Sequence, residues 1–133
     1  MVSSPRRSGG ATSSRLGNAA RVTLAAIRIF NGTMGLVAPA VAARRIGTPE
    51  GASLYPWRMF GVRTVIIGAE LLSRDPMRRD HAVRLALPIH ASDTASAALG
   101  GLLGETSKRT SFVLTAISGT NTVLALLARR TLR

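Results

Sequence analysis

Four apolar segments dominate this chain, and every one carries charged or polar residues that a lipid-facing helix surface cannot leave exposed. They read VTLAAIRIFNGTMGLVAPAVAA at about residues 22–43, WRMFGVRTVIIGAELL at about 57–72, VRLALPIHASDTASAALGGLLG at about 83–104, and TSFVLTAISGTNTVLALLA at about 110–128. About 20 residues of helix cross a hydrocarbon core of about 30 Å, and each segment approaches that length, the second only barely. The pattern predicts an all-α fold: a four-helix transmembrane bundle with a polar interior, spanning residues 21–133. An amphipathic soluble bundle is the structural alternative, because no segment is cleanly apolar.

The intervals fit that reading. Residues 1–20 are rich in Ser, Gly and Arg and cannot bury an apolar face, which predicts a disordered basic tail. Arg6, Arg7, Arg15 and Arg21 could rest on anionic lipid from there, or simply be solvated. Residues 44–56 carry Gly, Pro and Ser, and Pro56 is suited to open a helix. Tyr55 and Trp57 sit where interfacial aromatics belong. The stretches 73–82 and 105–109 are short charged connections. An Arg-rich start followed by an apolar run superficially fits a signal peptide, but Arg28 and Asn31 break the run and favour an uncleaved first helix.

Composition narrows the function. The absence of cysteine rules out disulfides, thiol catalysis, Fe–S clusters and cysteine-rich zinc sites. A net charge of +12 raises nucleic acid as a partner. No basic–aromatic interleaving or nucleic-acid motif accompanies it, and most of the charge flanks apolar segments, so nucleic acid is disfavoured. Of the 18 Arg and Lys residues, eleven fall on the side of the two termini, five on the other side, and Arg28 and Arg63 within helices. That bias puts both termini in the cytoplasm of a multi-pass protein of the cell (inner) membrane.

Charges inside a bilayer are expensive and normally face a bundle interior or a wet cavity. Residues at i, i+3, i+4 and i+7 share a helix face. On that rule Arg28, Asn31, Gly32, Gly35 and Pro39 form one stripe, Arg63 and Glu70 a second, and His90, Asp93, Ala97 and Gly101 a third. Ser111, Thr115, Ser118 and Thr122 form the fourth. Depths counted from the flanking arginines at about 1.5 Å per residue pair Arg28 with Glu70 or His90, and Arg63 with Asp93. The expected structural polar core is therefore Arg28, Asn31, Arg63, Glu70, His90 and Asp93. A separate row, Ser92, Ser96, Gly100 and Gly104, has the four-residue spacing that lets helix backbones approach, either within the chain or against a second copy or partner.

The same residues raise chemistry. Glu70, His90 and Asp93 could form a proton relay or binding site, as intramembrane carboxylates and histidines do in transporters. One His and one Asp are too few for a metal site, and Arg28 and Arg63 oppose a cation, so no metal is expected. His81 lies in a charged loop and is expected to be solvated. No phosphate loop, nucleophile elbow or HExxH motif is present, so no catalytic residue and no cofactor are assigned.

These residues also carry a resemblance. The sequence resembles a family of small four-helix membrane proteins, common in actinobacteria, known only as a domain of unknown function. The shared pattern comprises RIFNGTMGLVAP (Arg28, Gly32, Pro39), RMFGVRTVIIG (Arg58, Phe60, Gly61, Arg63, Gly68) and IHASD, where His90 replaces the first acid of a D-x-x-D-like element ending at Asp93. It covers about residues 22–104, and the helix-2 block is its most specific part. The resemblance implies a four-helix membrane fold and brings no activity; the His90 departure would alter any site needing two acids. In size and layout the chain is also loosely similar to DoxX-type membrane proteins, which implies by analogy a quinone-linked redox subunit using His90. The expected function is a non-enzymatic scaffold or accessory subunit whose partners are the bilayer and a membrane protein or second copy. A proton-coupled or small-solute transporter and the redox subunit are the alternatives.

Overall fold

The computed structural model describes residues 9–132. The chain is all-helical there, with five α-helices: α1 (Gly9–Val37), α2 (Pro39–Arg45), α3 (Tyr55–Leu71), α4 (Pro76–Leu102) and α5 (Lys108–Ala128), followed by a 3-10 turn at Arg129–Thr131. The number differs from the expected four because Ala38 and Pro39 split the first apolar segment. A residue preceding proline is pushed out of the helical region, and Ala38 lies at φ −132°, ψ 57°. The chain bends by 115° there before α2 resumes.

Two further boundaries move. The expected tail, 1–20, is helical from Gly9 onwards; residues 1–8 lie outside the described residues. The cause is tertiary. Gly17 and Ala20 are buried, and a Cβ at Gly17 would lie 3.0 Å from Arg130 Cβ, so this turn packs on the end of α5. Packing stabilises helix where local composition alone would not. Helix α4 starts at Pro76, seven residues before the expected 83, because Asp75 caps it by accepting from the Met77 N–H at 2.9 Å. Ser107 caps α5 in the same manner, accepting from the Thr110 N–H at 3.1 Å.

The helices run up, down, up and down. Helices α1 and α3 are antiparallel and very close: a Cβ on Gly32 would lie 2.8 Å from the Gly61 carbonyl oxygen, and one on Gly61 would lie 2.7 Å from the Gly32 carbonyl oxygen. Helices α4 and α5 form the second antiparallel pair. The Ser111 hydroxyl donates to the Ala97 carbonyl at 2.8 Å, and the Thr94 and Thr122 hydroxyls meet at 3.0 Å. Helix α1 joins the pairs by packing on α5 as well as α3, and Arg21 donates to the otherwise free C-terminal carbonyl of Leu71. The beginning of α1 and the end of α5 therefore share one end of the bundle, called here the terminal end.

The side chains are distributed inside out. The dry core is small and mostly alanine, with Leu24, Leu71 and Val83 its larger members, and it fills the terminal half of the bundle. Phe30, Val37, Met59, Ile66, Leu102 and Phe112 are exposed, whereas Arg28, Thr64, His90 and Asn121 are buried. Among the described residues one helix is long and apolar enough to cross a membrane, α5 with its 3-10 turn (Lys108–Thr131, mean hydropathy 1.6), and α1 with α2 makes a second if the bent pair is one span.

Candidate functional site

A cavity of about 390 Å³ occupies the distal half of the bundle, above the dry core. All four long helices line it. Arg28 and Asn31 come from α1, Phe60 and Thr64 from α3, His90, Asp93, Ser96 and Gly100 from α4, and Leu114, Ile117, Ser118 and Asn121 from α5. Glu105 and Thr106, in the turn between α4 and α5, line its distal end. Each of these helices gives the cavity a polar side chain where it gives the dry core an alanine or leucine a few turns away.

Arg28 and His90 form the polar centre. Arg28 is 4% exposed and His90 1%. Arg28 Nη1 reaches across the interior to the imidazole, 3.2 Å from Nδ1 and closer still to Nε2. A guanidinium only donates, so the nitrogen it bonds must lack a proton. Either ring nitrogen is within reach, and the tautomer decides which accepts. Nδ1 also faces Asp93 Oδ2 at 4.0 Å. Arg28, His90 and Asp93 thus form one line, from a buried cation through a ring to a half-exposed carboxylate. His90 is also fixed through its backbone, because its carbonyl accepts from the Thr94 hydroxyl at 2.7 Å.

Around this line the cavity wall holds polar atoms with no protein partner: Arg28 Nε, Thr64 Oγ1 and Asn121 Oδ1. A buried polar atom left unpaired costs about 1–3 kcal/mol. Three of them on residues lining one space, whose wall is otherwise mostly apolar, favour water or a small hydrogen-bonding solute there. Among the described residues no three His, Asp or Glu side chains converge as a metal would require.

The residues expected to meet are only partly brought together. Arg28, Asn31, His90 and Asp93 share the cavity. Glu70 does not; it pairs with Arg78 across the turn from α3 to α4. Its hydrogen bonds raise the Arg78 guanidinium above its ordinary value. His90 lies twelve residues beyond Arg78 on α4, about 18 Å along the axis. Of the two partners that depth offers Arg28, His90 is the one it meets; Glu70 is displaced because α4 already runs from Pro76, below the flanking Arg84. Arg63 is exposed, beside Met59, Val62 and Ile66, and the ion contact of Asp93 is with His90. One residue is about 100° of helix rotation, and the buried stripe of α3 is Gly61, Thr64, Gly68 and Leu71, one position on from the Arg63–Glu70 stripe.

The small-residue row is displaced in the same manner. Ser92 is exposed, Ser96 faces the cavity, Gly100 is buried near Thr106, and Gly104 lies beyond the helix with φ +74°. Contact with α5 is made instead by Thr94, Ala97 and Gly101, where a Cβ on Gly101 would meet the Ser111 hydroxyl at 2.0 Å. His81 is exposed. Four polar cavity residues were not anticipated from sequence, Thr64, Glu105, Thr106 and Asn121. Asn121 was within reach, since it lies three residues after Ser118 on the same face of α5.

The fold and site together define an all-α, up-and-down helical bundle with an apolar exterior and a cavity centred on a buried Arg–His pair. No family model matches the chain, and no curated protein or solved structure does.

Proposed function

We propose that this chain is a small multi-pass protein of the cell membrane, with both termini cytoplasmic, acting as a non-enzymatic scaffold or accessory subunit. The observation that carries the reading is the inverted surface. Large apolar side chains are exposed along α1, α3, α4 and α5, while the fully buried set includes an arginine-bonded histidine. Water favours the opposite arrangement, because exposed apolar surface of this extent is a liability for a soluble monomer. Only 22% of the apolar window of α5 is buried, where the core helix of a soluble protein would be mostly covered. In lipid, α3 and the less apolar α4 complete the bundle, their polar faces turned towards the interior. Membership of the small actinobacterial four-helix family, suggested by the Arg58–Gly68 block, belongs to the same proposal.

The expected result is retention of the protein in membranes through an alkaline carbonate wash and its release by detergent. Release by carbonate alone would defeat the reading. Affinity capture of the full chain in mild detergent should then recover a membrane protein or a second copy in fixed stoichiometry.

A second reading, a carrier of a small solute, is favoured by the cavity and its unpartnered Arg28, Thr64 and Asn121 atoms. In that case Asp93→Asn should lower solute flux in proteoliposomes while leaving the bundle folded. The geometry limits any proton path, because the His90 ring faces Arg28, a side chain that does not release its proton.

A further inference from the structure

A second concavity, of about 500 Å³, opens at the terminal end, apart from the Arg28–His90 cavity. Ser14, Arg15, Asn18 and Arg21 of α1 form one side, and Arg79 and Asp80 of α4 the other. Three arginines therefore face one space with a single acid among them. Asp80 lies 3.7 Å from Arg79 Nε, and its buried Oδ1 accepts no hydrogen bond among the described residues. Arg21 is fixed in place, donating through Nη1 to the Leu71 carbonyl and through Nη2 to Asn18 Oδ1 at 2.6 Å. Arg15 and Arg21 from one side and Arg79 from the other present three guanidinium charges to the cleft against the single carboxylate of Asp80, so the cleft keeps an excess of positive charge that an anion would offset.

We propose that this cleft binds a phosphate group. Guanidinium forks match phosphate oxygens in pairs, and Ser14 and Asn18 add neutral donors at the rim. The surroundings favour an anion as well. Arg78, Arg129 and Arg130 lie at the same end, giving that end a positive field. A phosphate can come from the headgroup of an anionic phospholipid or from solution. With the cytoplasmic orientation proposed above, the cleft lies where lipid headgroups lie, and basic pockets between helices on that side hold such groups. The inference does not need the bilayer, since free phosphate reads the same cleft in detergent solution.

The test is thermal unfolding of the full chain in phosphatidylcholine–detergent micelles, titrated separately with phosphatidylglycerol and with inorganic phosphate. The expected result is a saturable rise in midpoint with phosphatidylglycerol. Its half-saturation should weaken about fivefold for each arginine removed by Arg15→Gln or Arg79→Gln. Arg109→Gln, at the other end of the bundle, should leave it unchanged. Arg79→Lys, which keeps the charge beside Asp80, covers the case in which Arg79→Gln fails to fold. A response to inorganic phosphate alone would assign the cleft to free phosphate, and a response to both would confirm the shared chemistry. No response to either, or one that Arg109→Gln weakens as much as Arg15→Gln, would overturn the proposal.

Discussion

The two halves of the bundle are built from the same four long helices and do opposite things. In the terminal half Leu24, Leu71, Val83 and Ala125 close on one another without exposure. One to three turns further along, the same helices supply Arg28, Thr64, His90 and Asn121, and the space between them stays open. The first half behaves as the interior of any folded protein, with small side chains packed to exclude everything. The second keeps polar atoms that only a solvent or a ligand can satisfy. The dry packing therefore lies at one end of the bundle and the open space at the other.

Substitutions can break that comparison. The largest effect is expected from Leu71→Ala in the dry half, at about 2–5 kcal/mol of unfolding free energy by denaturant titration in micelles. A much smaller loss would mean that the terminal half is not the packed one. Next comes the Arg28–His90 pair. Arg28→Met or His90→Leu should each cost about 1.5–3 kcal/mol, as hydrogen bonds to a charged group do, and the double variant less than their sum. Additivity would remove the pair from the account.

Filling the cavity should cost least. Ser118→Leu adds apolar volume where there is space, and its stability should stay within about 1 kcal/mol of the parent; a cost typical of overpacking, about 1–3 kcal/mol, would mean that the space is not open. Smallest of all is the interaction of Arg63 with Asp93. Their alanine variants should add within about 0.5 kcal/mol, because Arg63 is exposed and the ion contact of Asp93 is with His90.

Much of this arrangement is legible in the sequence, and the remainder shows what periodicity omits. The helical class, the polar stripes of α1 and α5, and the place of Arg28, Asn31, His90 and Asp93 follow from spacing alone. Glu70 and Arg63 do not, because i, i+7 spacing says that two residues share a face and not which face turns inward. Gly61 and Gly68 decide that for α3: only glycine allows the α1 backbone so close, and the close side is the buried side. The early start of α1 could not be read either, since Gly17 is helical through its contact with residues 127–131, far away in sequence. The start of α4 was readable from Asp75–Pro76, a capping residue followed by proline.

Cysteine labelling tests directly whether lipid covers the apolar exterior while water reaches the cavity. The chain contains no cysteine, so single cysteines can be placed at will. In native membranes a small charged thiol reagent should label Ser118→Cys, in the cavity, and Ser53→Cys, in the loop before α3. It should leave Ile66→Cys and Phe112→Cys unlabelled until detergent is added. Labelling of Ile66→Cys and Phe112→Cys in membranes as fast as Ser53→Cys, with Ser118→Cys silent, would contradict the account.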